Sequence, residues 1–204
     1  GGTGSDSLSG GEGNDTLIGG EGSDSLYGGD GDDSFIFLGG SDLASGEVYD
    51  GGAGVDRLDA STVTTAVNLS TLNTTLSGLE TITGFSGGLT VKAAQLNGLT
   101  DLTSLTTGAI TLASGGTVDL AGADVATDLI ALSSAGNNLT LGTLHSVSVA
   151  RINGGGGNDA VTVLAGTSVA LYGGGGRDTL ASASANDTLD GGSGNDNLSA
   201  GDGS

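Results

Sequence analysis

Residues 10–18 have the sequence Gly-Gly-Glu-Gly-Asn-Asp-Thr-Leu-Ile, and this nine-residue pattern recurs at both ends of the chain. Four consecutive copies begin at residues 1, 10, 19 and 28, and a fifth begins at residue 51. Further copies begin at residues 154, 173 and 191, while residues 182–190 keep the phase with Asp187 and Leu189 but have lost their glycines. One such unit cannot bury its own apolar residue, so the pattern predicts units that stack into a solenoid.

Each position of the nonapeptide has a physical role. Glycine reaches positive φ without steric cost, so the backbone can curl and point its carbonyl oxygens at one centre. The aspartate adds a carboxylate, and a concentrated set of hard oxygens suits Ca²⁺, which takes roughly 6–8 oxygen ligands. The apolar residue two positions later is the inward-facing centre of a short strand. The predicted calcium ligands are Asp6, Asp15, Asp24, Asp33, Asp56, Asp159, Asp178, Asp187 and Asp196, with Gly2, Gly4, Gly11, Gly13, Gly20, Gly22, Gly29, Gly31, Gly155, Gly157, Gly174, Gly176, Gly192 and Gly194.

These nonapeptides resemble the RTX (repeats-in-toxin) calcium-binding β-roll. The resemblance implies an all-β, right-handed parallel β-roll or β-helix solenoid with two nonapeptides per coil and Ca²⁺ between stacked glycine-rich loops. Carried onto this sequence, it pairs Asp6 with Asp24, Asp15 with Asp33, and Asp178 with Asp196. It pairs Asp187 with a repeat beyond Ser204, and it assigns no partner to Asp56 or Asp159, which stand in isolated copies. We expect about four to seven bound calcium ions.

Residues 60–150 carry little charge and have a longer period. Alternating apolar pairs recur at intervals of roughly 21–22 residues. The pairs are Val67/Leu69, Leu89/Val91 and Ile110/Leu112; Val118/Leu120, Leu139/Leu141 and Val161/Val163; and Val147/Val149 with Val169/Leu171. Alternation is typical of strands, and its recurrence predicts wider parallel β-helix coils about 4.8 Å apart. We therefore expect an N-terminal RTX β-roll at 1–59, wider coils at 60–150 and a truncated C-terminal RTX β-roll at 151–204. Residues 92–96 are predicted to form one helical turn at a corner.

Two further stretches resemble RTX-class bacterial surface-layer proteins. They are residues 51–58 together with 76–83, and residues 181–196. The likeness extends loosely over most of the chain and is specific in the repeat blocks. It implies a structural role at the cell surface, with export by a type I secretion system and folding outside the cell.

Charge and composition exclude several classes of partner. The chain has 204 residues and a formal net charge of −20, from 24 acidic and 4 basic residues. Such a chain repels nucleic acid and anionic membrane surfaces. It contains no cysteine, and no apolar run approaches the ~20 residues that span a bilayer. We expect calcium ions and self-association or other cell-surface components as partners, with no nucleic acid and no membrane span.

Catalytic groups are scarce in this sequence. His145 is the single histidine, and no nucleophile-elbow sequence accompanies it. Carboxylate pairs can hydrolyse glycosides, but these acids follow the calcium phase, and aromatic residues that would hold a sugar make up 3% of the chain. No catalytic residue and no enzyme activity are predicted.

Three functions are open at this point. The first is a calcium-dependent extracellular structural module, such as a surface-layer, sheath, filament or adhesin-stalk component. The second is an accessory RTX segment of a secreted toxin or enzyme that aids type I export and folding. The third is an ice- or ligand-binding solenoid, but its Thr-x-Thr ranks are limited to residues 62–64 and 81–83. Solenoid periodicity and calcium sites at both ends favour the first.

Overall fold

The chain folds, in a computed structural model, as an all-β solenoid of about eight turns built from parallel sheets, which confirms the predicted fold class. The structure describes residues 1–39, 42, 44–70, 74–85, 87–102, 109–125, 129–144, 150–166 and 168–202. Its strands are β1 (Gly2–Thr3), β2 (Ser7–Glu12), β3 (Thr16–Leu17), β4 (Gly20–Glu21), β5 (Ser25–Asp30), β6 (Ser34–Ile36), β7 (Val48–Ala53), β8 (Arg57–Asp59), β9 (Val67–Asn68), β10 (Thr75–Ser77), β11 (Thr81–Thr83), β12 (Leu89–Val91), β13 (Asp101–Leu102), β14 (Ile110–Leu112), β15 (Gly116–Val125), β16 (Leu129–Ala131), β17 (Asn137–Leu144), β18 (Ala150–Gly155), β19 (Ala160–Gly166), β20 (Val169–Gly175), β21 (Thr179–Ala181), β22 (Thr188–Ser193) and β23 (Asn197–Ser199).

Four sheets form the walls of the solenoid. The longest has ten strands, in the order β23-β21-β19-β17-β15-β13-β11-β8-β6-β3, and extends along the whole chain. A four-stranded sheet, β10-β7-β5-β2, faces it in the N-terminal coils, and a seven-stranded sheet, β22-β20-β18-β16-β14-β12-β9, takes over from β9 onwards. The fourth sheet pairs β1 with β4. The ten-stranded sheet continues through the predicted segment boundaries near residues 59 and 150. The three predicted segments are therefore parts of one solenoid.

The strand registers show how much chain makes up each coil. Ser7 pairs with Ser25, the equivalent position of the next repeat but one, so two nonapeptides make one coil at the N-terminus. In the seven-stranded sheet Leu89 pairs with Val67 on one side and Ile110 on the other, so these coils are longer. The first predicted series of apolar pairs is therefore confirmed. The second is also confirmed, since Leu139 pairs with its counterparts in the preceding and following coils.

The third predicted series has the wrong register. Val169 pairs with Ala150 instead of residue 147, and Leu171 pairs with Ile152 instead of residue 149. The coil has already shortened towards the repeat length at this point, so extrapolating the middle period misplaces the partner. Residues 147 and 149 lie outside the described residues.

Inward side chains from the facing sheets fill a single apolar core. Leu58, Ile82 and Leu102 stack in consecutive coils of the ten-stranded sheet, and each is at most 1% exposed. The predicted corner turn is a 3₁₀ helix over Ala93–Gln95. Its Gln95 Nε2 donates a hydrogen bond to the carbonyl of Thr74 at 2.9 Å. This turn closes one corner of the wide coils with a neutral amide.

Candidate metal centres

Aspartates of stacked repeats form hydrogen-bonded ladders at the corners of the coils. One carboxylate oxygen accepts a hydrogen bond from the backbone amide at the equivalent position one coil earlier. In the repeats for which a pairing was implied, these bonds join Asp24 Oδ1 to the amide of Asp6 (2.8 Å), Asp33 Oδ1 to that of Asp15 (2.8 Å) and Asp196 Oδ1 to that of Asp178 (3.0 Å). The structure thus brings together all three of these pairs.

The ladders also include the aspartates whose partners the sequence did not assign. Asp56 Oδ1 accepts from the Asp33 amide at 2.7 Å. Asp178 Oδ1 accepts a hydrogen bond from the Asp159 amide at 2.8 Å. Both isolated copies therefore belong to a column, by which we mean a set of aspartates at equivalent positions of successive coils. Asp187 Oδ1 accepts from the amide of Val169, at 2.9 Å, and that residue belongs to no nonapeptide.

The Oδ2 atom has no hydrogen-bond partner in several of the repeat aspartates. It is buried and unpaired in six aspartates: Asp15, Asp24, Asp33, Asp56, Asp159 and Asp178. All but Asp15 are at most 2% exposed as whole residues. An unpaired buried carboxylate costs several kcal/mol, because it loses its hydration without gaining a counter-charge. The ion pair between Arg57 and Asp59, at 3.8 Å, involves none of the six. A bound cation would offset this cost at all six oxygens.

The first glycine of each repeat leaves the space in which a cation fits. A Cβ built on Gly10 would collide with Asp15 Oδ2 and with the carbonyl oxygen of Gly28 in the next coil. A carboxylate oxygen and a carbonyl oxygen therefore converge where only glycine leaves room. Hard oxygen donors of this kind match Ca²⁺ and not the nitrogen and sulfur ligands of zinc sites. The oxygen donors around the first glycine are therefore of the kind that Ca²⁺ requires.

These first-position glycines were missed by the sequence prediction. They are Gly1, Gly10, Gly19, Gly28, Gly51, Gly154, Gly173 and Gly191, and in every one a Cβ would collide with the carboxylate of its own repeat. The signal was present, since the first position is glycine in every full copy of the nonapeptide. These glycines are not among those with positive φ, which is the property for which the sequence pattern assigned glycine a role.

The predicted glycines at the second and fourth positions lie in the same loops. All of them have positive φ except Gly157, which packs against the backbone of Gly136. Gly20 and Gly22 lie directly over Gly2 and Gly4 of the preceding coil, so close that a Cβ would collide with the lower carbonyl. Their backbone shapes the loop, while their role as direct ligands stays a prediction.

Burial and like charge act together on these carboxyl groups. Burial raises the pKa of Asp56, and the neighbouring carboxylates of Asp33 and Glu80 raise it further. Burial also raises the pKa of Asp159. Within the described ranges, no three His, Cys, Asp or Glu side chains gather at one point, so each site has to draw on main-chain carbonyls. Both observations fit a cation held between coils by one or two carboxylates and several carbonyls.

Three polar residues other than aspartate occupy the aspartate slot where the columns end. In the C-terminal column it is Asn137, whose Nδ2 donates to Asp159 Oδ1 at 2.9 Å and to the Ser133 carbonyl at 3.0 Å. In the N-terminal columns the slot holds Glu47 and Glu80, aligned with the last aspartate of each column. None of the three follows a Gly-Gly-x-Gly pattern, so the motif could not reveal them.

The comparisons with known proteins agree with the repeat blocks. The family described as RTX calcium-binding nonapeptide repeat (4 copies) matches residues 1–35, 9–44, 151–169 and 172–204. No curated protein and no solved structure gives a significant match to the chain. Within the part of the chain that the structure describes, no helix has the length and apolar character to cross a bilayer. His145 lies outside the described residues.

Proposed function

Since the chain is an RTX-type calcium-binding repeat protein, we propose that it serves as an extracellular structural module that folds as it binds Ca²⁺. RTX repeats are typical of secreted proteins, and extracellular modules bind Ca²⁺ with dissociation constants of about 10⁻⁴–10⁻³ M. The observation that carries the proposal is the set of six buried carboxylate oxygens without a hydrogen-bond partner.

Without calcium, these columns oppose folding. Stacking brings carboxylates of the same charge together in a chain whose net charge is −20, and the glycine-rich loops lose much conformational entropy when they become ordered. One divalent ion for each of the six unpaired oxygens would offset more than half of the negative charge. The free energy of binding then becomes free energy of folding. In the low calcium concentration of a cytosol, the repeats stay unfolded and competent for the type I export that we propose.

The rest of the molecule favours a structural role over catalysis. The ten-stranded sheet makes a rod about 45 Å long at the usual strand spacing of about 4.8 Å. The chain has one histidine and no cysteine, and most of the carboxylates that the described residues bury belong to the repeat corners. We propose that it is not an enzyme and that it works as a load-carrying segment of a surface layer, sheath, filament or stalk, in contact with further copies or other surface components.

The coupling is tested by far-ultraviolet circular dichroism in EGTA and in millimolar Ca²⁺. We expect a large gain of β-sheet signal with calcium and no such gain with equimolar Mg²⁺. Small-angle X-ray scattering of the same samples should show a compact rod with calcium and an expanded chain without it. Equal order in EGTA and in calcium would refute the coupling. A calcium-dependent fold that stays monomeric, with no assembly seen by electron microscopy, would argue against the structural role.

A further inference from the structure

Two glutamates occupy the same slot at the ends of the two N-terminal columns. Glu80 is aligned with Asp56, and Glu47 with Asp24. Both glutamates lie beyond residue 44, where the N-terminal match to the RTX family ends, and neither belongs to a nonapeptide. Sequence alone gives no reason to treat them differently.

Glu80 takes the part that an aspartate has elsewhere in the ladder. Its Oε2 accepts a hydrogen bond from the Asp56 amide at 2.8 Å, just as Asp56 Oδ1 accepts from the Asp33 amide at 2.7 Å. The extra methylene of glutamate lets its carboxylate reach the slot although no Gly-Gly-x-Gly loop precedes it.

The space beside Asp56 is bordered by the same two kinds of atom as the sites inside the repeats, namely a carboxylate oxygen and a main-chain carbonyl oxygen. A Cβ on Gly51 would collide with Asp56 Oδ2 and with the carbonyl oxygen of Gly78, one coil further on. In the preceding coil, Gly28 faces Asp33 Oδ2 and the Gly51 carbonyl in the same way. Asp56 is 0% exposed, and its Oδ2 has no partner.

We infer that Gly78 and Glu80 complete a calcium site with Gly51 and Asp56, so that this column continues one coil past its last nonapeptide. The site takes a hard divalent cation, because its donors are carboxylate and carbonyl oxygens. The inference rests on the proposed calcium-coupled folding and deepens it, since it carries the metal-bound region into coils that have no repeat.

Glu47 provides the matched contrast. Its Oε2 accepts the hydroxyl hydrogen of Tyr49 at 2.6 Å, and its Oε1 faces the amide of Ala44 at 3.4 Å. The three atoms nearest to a Cβ on Gly19 all belong to Asp24, at 2.5–3.2 Å, so no carbonyl of the next coil comes nearer than 3.2 Å, whereas a Cβ on Gly51 would collide with the carbonyl of Gly78. The Glu47 carboxyl is engaged with the tyrosine instead of with the column.

The test counts bound calcium ions by native mass spectrometry at saturating Ca²⁺ in wild type, Glu80→Gln and Glu47→Gln. Glutamine keeps an acceptor for the Asp56 amide, so Glu80→Gln removes the charge and leaves the ladder bond possible. We expect one ion fewer than in wild type for Glu80→Gln and an unchanged number for Glu47→Gln. Gly51→Ala, which fills the same space at a residue without positive φ, should also lose one ion.

Circular dichroism in calcium shows whether each variant has folded. If Glu80→Gln does not fold, the ion count of Gly51→Ala and the exchange rate of the Asp56 amide with and without calcium decide the matter. Equal ion counts in wild type and both Glu80→Gln and Gly51→Ala overturn the inference while calcium-coupled folding stands. A wild-type chain that binds no calcium overturns both.

Discussion

The N-terminal repeats and the middle coils stabilise the same kind of ribbon by different means. A repeat coil consists of two nonapeptides and offers one inward apolar side chain per strand, such as Leu26 in β5. A middle coil is longer, and its strand in the seven-stranded sheet offers two, as with Leu89 and Val91 in β12. The residues buried at the corners of the coils also differ. Buried carboxylates occupy the repeat corners, whereas the amide of Gln95 closes a corner of the middle coils.

This difference gives a physical reason for the proposed role of calcium. At about 25 cal/mol per Å² of buried apolar surface, the wider coils gain more from burial than the repeat coils do. The repeat coils have to order many glycines around a thin core, and under the proposed calcium-coupled folding they depend on metal binding to do so. On this proposal, the molecule joins a segment stabilised by its core to segments stabilised by metal.

Removing calcium should destabilise the repeat segments much more than the middle coils, and this is the largest effect that we predict. We expect residues 1–35 and 172–202 to lose about 100-fold or more of their amide protection in EGTA, because calcium at 100 times its dissociation constant contributes about 2.7 kcal/mol per site. Residues 81–102 and 110–141 should lose less than about tenfold. Hydrogen exchange measured by mass spectrometry gives both values in one experiment. Uniform loss along the whole chain would mean that the middle coils have no independent stability.

The repeats could be predicted from sequence because their period is strict and each slot has one chemical purpose. The resemblance to the RTX β-roll, with two nine-residue units per coil, implied that Asp15 pairs with Asp33, and alternation of apolar residues predicted the strands at Leu89 and Leu139. The remaining features depend on contacts between coils. Glu80 enters the aspartate slot by the reach of its side chain, and Val169 pairs with Ala150 because the coil shortens at that point. The periodicity of the sequence contains no information about either of these contacts.

Gly173→Ala should have the next largest effect, since it fills one metal site in the C-terminal repeats. Its Cβ would collide with Asp178 Oδ2 and the Gly191 carbonyl, while the backbone at residue 173 has no positive φ and accepts alanine. We expect the loss of one ion and about 1–3 kcal/mol of unfolding free energy from crowding. Calorimetry in calcium and an ion count measure the two effects.

Gly175→Ala is the matched control for this variant. Residue 175 lies in the same loop, also without positive φ, and its Cβ would meet nothing closer than Ser193 Oγ at 3.3 Å. A serine hydroxyl can rotate away, so we expect an unchanged ion count. Similar losses in both alanine variants would show that the loop is sensitive to any added Cβ and not that residue 173 borders a metal site.

Asp33→Asn should weaken one site in the N-terminal repeats without breaking the ladder. Asparagine keeps an oxygen for the Asp15 amide but replaces the unpaired Oδ2 with an NH₂ group, which repels a cation. We expect at least about tenfold weaker binding of one ion, or about 1.4 kcal/mol, by calcium titration calorimetry. Asp30→Asn, at an exposed position of the same repeat, removes the same charge and should change binding much less. Equal weakening in both variants would indicate a general effect of charge.

The smallest predicted effect is a pH dependence at Glu47, the glutamate that does not extend its column. Burial raises its pKa from 4.5 to about 7, so the folded chain holds this proton at a pH where the unfolded chain has lost it. Its contribution to stability is therefore greatest below about pH 4.5 and falls as the pH rises towards 7. Glu47→Gln, which can still accept the Tyr49 hydroxyl, should match wild type near pH 4.5 and exceed it above pH 7. We expect a difference on the order of 1 kcal/mol, since a cation at Asp24 offsets part of the cost of burying this charge.

Urea unfolding of both proteins in calcium across this pH range measures the difference directly, because titration of the other carboxylates is common to both. A constant difference from pH 4.5 to pH 8 would mean that Glu47 keeps its charge in the folded state and that a cation shared with Asp24 reaches it after all.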